Sequence, residues 1–188
     1  MFMKRICIAT LLVFSVIVAR AQFLLTPNNG LKCEDNVYTI KNAGTESENY
    51  HAAKRVIKQV IPDALIEEPE FEKTLVVNAE QNLKITLRVK SIGSFGIPVK
   101  GTYDYSFKYK LNVEAHDGKI ELAFNELGVF VHHKHGGVWL HPSSGKSNAL
   151  TSEFYVFKEG GDLGQVKAKQ QIEEWANSLV LKIEQALK

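Results

Sequence analysis

Alternation is the strongest signal in the chain. Tyr103, Tyr105, Phe107, Tyr109, Leu111 and Val113 hold successive odd positions, and Asp104, Ser106, Lys108, Lys110, Asn112 and Glu114 fill the even ones. A period of two sends neighbouring side chains to opposite faces, so this stretch predicts a strand with one buried and one wet face. Leu83, Ile85, Leu87 and Val89 alternate with Lys84, Thr86, Arg88 and Lys90 in the same way, and Leu75, Val76 and Val77 predict a separate strand before them. His116-Asp117-Gly118 follows the long alternation, and Asp-Gly suits the positive φ angles of a type I′ hairpin. Ile120, Leu122 and Phe124 return at period two. The apolar set then moves to Leu127, Val129 and Val131, which predicts a bulge near Asn125 and Glu126.

Either side of this β-rich middle the period changes. After a polar leader, Thr26-Pro27-Asn28-Asn29-Gly30, the run Val37-Tyr38-Thr39-Ile40 predicts a short first strand. Thr45 and Glu48 have capping-box spacing, and Tyr50, Ala53, Ile57 and Val60 share a helical face until Pro62 ends it. Lys54, Arg55, Lys58 and Gln59 take the solvent side. From about Leu163 to Leu187, Ile172, Trp175, Ala176, Leu179, Ile183 and Leu187 form a second apolar stripe, opposite Glu173, Glu174, Asn177, Lys182 and Glu184. The predicted fold is α+β: a curved antiparallel sheet with an N-terminal helix and a long C-terminal helix packed on one face.

The first residues carry an address. Lys4 and Arg5 precede an apolar run from Ile6 to Val18, and Ala19-Arg20-Ala21 offers a small-x-small cleavage pattern. The run is shorter than the roughly 20 residues that span a bilayer, so residues 1–21 are expected to be a removed signal peptide and 22–188 a single exported domain. Cys7 leaves with the signal, and Cys33 remains without an internal partner, expected as a buried small hydrophobe. Lys4, Arg5 and Arg20 leave too, which takes 23 basic against 21 acidic side chains to 20 against 21, a balance of −1. A near-neutral exported chain lacks the field that phosphate recognition uses, so no nucleic-acid partner is expected. The last helix mixes both signs on its polar face, and no stable membrane insertion is expected after cleavage.

The order strand, helix, antiparallel strands, with the hairpin Tyr109-Lys110-Leu111-Asn112-Val113-Glu114-Ala115-His116-Asp117-Gly118-Lys119-Ile120-Glu121-Leu122, resembles a family of exported Bacteroidetes proteins. That family is a domain of unknown function with a TATA-binding-protein-like fold, and the Ala21-Gln22 junction resembles the same lineage's usage. The resemblance covers about residues 36–131; a His-rich hairpin and loop (132–161) and the final helix (162–188) lie beyond it. It implies a TBP-like core, and it brings neither catalytic residues nor DNA binding, since fold does not carry function.

Candidate chemistry is sparse. His132, His133, His135 and His141 gather four of the six histidines, and His133, His135 and His141 are the candidate metal ligands. No carboxylate or cysteine stands beside them to complete a closed zinc site, and a solvated hairpin is the plainer expectation. Gly160-Gly161-Asp162-Leu163-Gly164 has the form of an anion cradle without its lysine and hydroxyl, and reads as a flexible approach to the helix. Ser143-Ser144-Gly145-Lys146-Ser147 lacks the upstream glycine of a phosphate loop. No catalytic residue and no cofactor is assigned. Two functional classes remain. One is a binding or structural module of the cell envelope, showing its polar sheet face and the His-rich hairpin to a protein or glycan. The other is a helix-grip binder of a small apolar ligand, with Tyr103, Tyr105, Phe107, Tyr109 and Trp175 lining a cavity between sheet and helix.

Overall fold

A computed structural model describes residues 23–27, 30–69, 73–90, 98–128, 130–132, 136–140 and 154–188. The expected signal segment, His133, His135, His141 and the Ser143–Ser147 run lie outside them. The elements are β1 (Leu24–Thr26), β2 (Gly30–Lys32), β3 (Tyr38–Lys41), α1 (Glu46–Val60), β4 (Leu65–Glu67), β5 (Thr74–Lys90), β6 (Pro98–His116), β7 (Lys119–Leu127), β8 (Phe130–His132), β9 (Gly136–Trp139), β10 (Phe154–Tyr155) and α2 (Val166–Leu187).

The spine is the antiparallel pair β5–β6, in register from Thr74↔Glu114 to Lys90↔Pro98. β5 is one strand of 17 residues rather than the two that its sequence suggests. The polar stretch Glu80-Gln81-Asn82 does not break it, because its partner supplies bulk at that point. Ala79 faces Tyr109, Gln81 faces Phe107 and Leu83 faces Tyr105, so large rings stand where β5 is small or polar. The sheet runs β10-β9-β8-β6-β5-β4, with β7 joined to β6 and β3 joined to β7. It is not wholly antiparallel: β10 lies parallel to β9, with Phe154↔Val138 and Tyr155↔Trp139.

The predicted bulge is present. Leu111 pairs with Phe124 and Lys110 with Glu126, which leaves Asn125 as the extra residue. The odd-numbered apolar series beyond it does not continue. Phe130 is fully buried and Val131 is 55% exposed, because the chain changes strands at Gly128. There the Gly128 N–H donates to the Lys108 carbonyl at 2.7 Å, and a Cβ at Gly128 would sit 2.9 Å from that oxygen. Only glycine allows this approach, which passes the flank of β6 from β7 to β8. The β6–β7 turn is not type I′ either. Gly118 has φ 76°, Asp117 is not in the positive region, and the Asp117 Oδ1 accepts the Glu46 N–H at 2.7 Å instead.

Both helices cover the odd-numbered face. Thr45 and Glu48 form the capping box, with the Thr45 N–H donating to Glu48 Oε2 at 2.8 Å, and Ala53, Val56 and Ile57 are buried. The Thr45 bonds hold the Glu48 carboxyl below its usual range. On the outside of α1, Lys54 pairs with Glu68 at 2.7 Å. Asn49 is fully buried and fastens α1 to the hairpin: its Nδ2 donates to the carbonyls of Asn42, Gly44 and His116, at 2.7 Å for the last, and its Oδ1 accepts from Asn42 Nδ2. α2 begins at Val166, three residues later than its leucine spacing suggests, and buries Ala168, Ile172, Ala176, Leu179, Val180 and Ile183. The Gln165 side chain bonds the Arg88 backbone instead of capping the helix, and Gln171 accepts the Thr86 N–H, so α2 occupies the edge of β5.

The polar leader conceals a hairpin. β1 and β2 pair through Leu25↔Leu31 and bury Phe23, Leu25, Leu31 and Cys33. Asn177 of α2 binds both the N–H and the carbonyl of Phe23, and Glu173 accepts the Leu25 N–H at 2.7 Å. Cys33 is a core residue, as expected, and burial pushes its thiol up. Among the described residues no helix is long and apolar enough to cross a membrane.

Candidate functional site on the uncovered sheet face

The helices leave one face of the sheet bare. On it stand the even positions of β5 and β6, where Glu80, Asn82, Lys84, Arg88, Lys100, Thr102, Asp104 and Lys108 are exposed. Opposite signs meet across the strands at two rungs, while Arg88 faces Lys100, a like-charge pair. Lys84 faces Asp104 and Glu80 faces Lys108, while Glu80 also accepts from the Ser106 hydroxyl at 2.5 Å. Lys110 approaches Glu126 at 3.8 Å, Asn78 donates to Glu67 at 3.1 Å, and the Thr86 and Thr102 hydroxyls meet at 3.0 Å. Opposite charges directly across a ladder support the pairing by roughly 0.2–1 kcal/mol each, and the Arg88–Lys100 pair works against it. A recess of about 390 Å³ opens on it, lined by Asp63, Leu65, Asn78, Glu80, Lys108 and Glu126.

A second group stands at the hairpin end of the same face. Glu114 and His116 are two apart on β6, and Glu121 on β7 is the direct partner of Glu114. One nitrogen or oxygen from each of the three lies within 4.8 Å of the others. His116 Nε2 is 3.4 Å from Glu121 Oε2 and 3.9 Å from Glu114 Oε2, and Lys119 holds the other oxygen of Glu121 at 2.5 Å. Sequence reasoning passed over this group. The cue is Glu-x-His ahead of a two-residue turn, which sets Glu121 opposite Glu114 once the turn is placed.

The aromatic candidates lie on the other face, and Phe107, Tyr109 and Trp175 touch one another. Tyr105, Phe107 and Tyr109 are buried, and the Phe107 ring stands 4.5 Å from Phe130 and 4.7 Å from Trp175. Trp175 also meets Tyr109 at 5.0 Å and Phe124 at 5.6 Å. The Tyr103 ring fills the space above Gly101, where a Cβ would meet it within 2.7 Å. These rings fill the core by packing, which leaves the helix-grip cavity without the lining assigned to it. Burial pushes the hydroxyl of Tyr109 up to about 12, and burial, then the charge of Tyr103, does the same for Tyr105. Trp175 lines instead an outside groove between α1, α2 and β5, with Val60, Gln81, Leu83 and Gln171. The glycine-rich segment is a packed turn rather than a flexible one. Gly161 has φ 85°, and the N–H groups of Gly164 and Gln165 both donate to the Val156 carbonyl, so neither is turned to an anion.

No family model matches the sequence, and no curated protein matches it. Among solved structures, a DUF4468 family protein from Bacteroides ovatus superposes with a TM-score of 0.54 at 11% identity, covering 83% of this chain and 86% of that one. This chain has the DUF4468 fold. A TBP-like protein from Parabacteroides distasonis aligns at 12% identity over 80% of this chain and 91% of its own, with a TM-score of 0.48. The DUF4468 likeness bears out the α+β fold and the resemblance to a Bacteroidetes family of unknown function. No catalytic family is indicated.

Proposed function

We propose that this chain is an exported, non-catalytic binding module of the cell envelope, whose bare sheet face receives a partner protein. The observation that carries the reading is the uncovered face of β5 and β6, strands of 17 and 19 residues with mixed charge on that side. Mixed signs in a fixed pattern favour a partner with the complementary pattern, and they repel one in the wrong register. The even positions of the two strands hold no Phe, Tyr or Trp from Thr74 to Glu114, and a sugar ring would want one to lie on; this favours a protein over a glycan. Export rests on Lys4, Arg5, the Ile6–Val18 run and Ala19-Arg20-Ala21, and the resulting balance of −1 argues against nucleic acid.

The test is site-specific photo-crosslinking in the producing cells. A crosslinker at Asn82 or Thr102, on the bare face, is expected to give a discrete adduct, and one at Gln170 or Lys182, on α2, is expected to give none. Adducts from α2 alone, or from neither face, overturn the reading. N-terminal sequencing of the exported fraction is expected to begin at Gln22.

A further inference from the structure

We propose that Glu114, His116 and Glu121 form a binding site for a divalent first-row transition cation of the zinc type. All three ligands come from two paired strands, so their spacing follows from the ladder and no loop has to close. Zinc takes imidazole nitrogen and carboxylate oxygen at about 2.0–2.2 Å, which sets neighbouring ligand atoms roughly 3.3 Å apart. His116 Nε2 already stands 3.4 Å from Glu121 Oε2 and 3.9 Å from Glu114 Oε2. Small side-chain rotations complete the set.

Two further observations point to a cation. Glu114 and Glu121 are directly opposed like charges, a destabilising pair unless something positive lies between them. Lys119 answers only part of this, because it takes Oε1 of Glu121 and leaves Oε2 turned to the imidazole. His116 Nε2 itself is closed to solvent and makes no hydrogen bond, although its ring is partly exposed. A ring nitrogen that faces two carboxylate oxygens and makes no hydrogen bond is placed to serve as a metal ligand. The backbone beneath is fixed: the His116 carbonyl accepts from buried Asn49, and Asp117 is tied to the start of α1. Sites carried on such rigid elements lose little to ordering. Three protein ligands leave one tetrahedral position for water or for a group from a partner.

Titration of the purified protein with Zn²⁺, and with Co²⁺ read by its d–d absorption, tests the site. One-to-one uptake is expected, with a cobalt spectrum moving from the six-coordinate aquo form toward lower coordination. H116Q and E121Q are each expected to weaken uptake on the order of 100-fold or more while keeping the metal-free melting temperature, since Asn49 holds the His116 carbonyl and not its ring. A variant with His133, His135 and His141 all changed to alanine is expected to bind as the parent does. Absence of uptake, parental affinity in H116Q, or loss of binding in the His133/His135/His141 variant overturns the proposal.

Discussion

On the helix side of β6, Tyr105, Phe107, Tyr109, Leu111 and Val113 are sealed by β5, β7 and the two helices. On its other side, Asp104, Lys108 and Glu114 stand in water one peptide away. The backbone hydrogen bonds are common to both faces, so the contrast isolates what side chains add. Inside, Phe107 and Tyr109 each touch several other rings and stability is pooled. Outside, the charges meet water and a few neighbours across the ladder and contribute little to stability, which leaves them, on the proposed reading, to set which partners fit. The largest expected effect lies inside. Phe107→Ala removes a ring in contact with both Phe130 and Trp175, and is expected to cost about 4 kcal/mol in urea denaturation. Lys108→Ala, the adjacent outward position, is expected within about 0.5 kcal/mol. Similar losses for the two would break the contrast.

Asn49 sharpens it by separating burial from polarity. It is as polar as anything on the bare face and as buried as the core, and its amide holds three carbonyls of two separate segments. Asn49→Ala strands those carbonyls, and at about 1–3 kcal/mol for an unmet buried group a total of about 3 kcal/mol is expected. Asn49→Asp keeps the size but cannot donate, and is expected to be no milder. Thermal denaturation of both variants measures this. A loss below about 0.5 kcal/mol would mean that access to water, rather than the contacts made, had been misjudged.

The same distinction explains what the sequence made legible. Thr45 and Glu48 announced α1 because a capping box is local, and the shift of apolar parity after Phe124 placed the bulge near Asn125 and Glu126. The unity of β5 was hidden because polar Gln81 pairs with Phe107 across the ladder, and no local pattern records a partner strand. β1 and β2 looked like a polar leader because Pro27 and Gly30 dominate so short a hairpin, although Phe23, Leu25 and Leu31 were the cue. For the site, composition drew attention to the clustered histidines. The Glu114–His116–Glu121 group is a cross-strand object, visible only after the register of β6 and β7 is known.

Tyr109 is the point at which the inner face is imperfect. Its hydroxyl is buried among rings and makes no hydrogen bond. Tyr109→Phe removes that unmet group and keeps the ring, and is expected to stabilise the fold by about 1 kcal/mol. Alkaline titration gives an independent reading. Tyrosine in the unfolded chain loses its proton near pH 10, whereas burial holds Tyr105 and Tyr109 up to about 12. Between those values the unfolded state binds fewer protons than the native one, so stability falls as pH rises through the window. Tyr109→Phe is expected to make that fall shallower, and an unchanged slope would place the hydroxyl in water.

The smallest effect belongs to the bare face, where it says most about function. Lys110 and Glu126 stand 3.8 Å apart with side chains 39% and 68% exposed, so water and salt screen their attraction. Lys110→Gln is expected to change stability by less than about 0.5 kcal/mol. Its effect on partner capture is expected to be larger, because an exposed charge acts on the rate of encounter and on the rejection of wrong partners. The measurement is a pair of crosslinking yields from Asn82 at low and high salt, in the parent and in Lys110→Gln. If the substitution lowers the yield at low salt and the two proteins converge at high salt, the bare face works through its charges. If stability falls as it does inside and the yield does not move, the charges serve the ladder, and the division between a core that folds and a face that chooses fails at this strand pair.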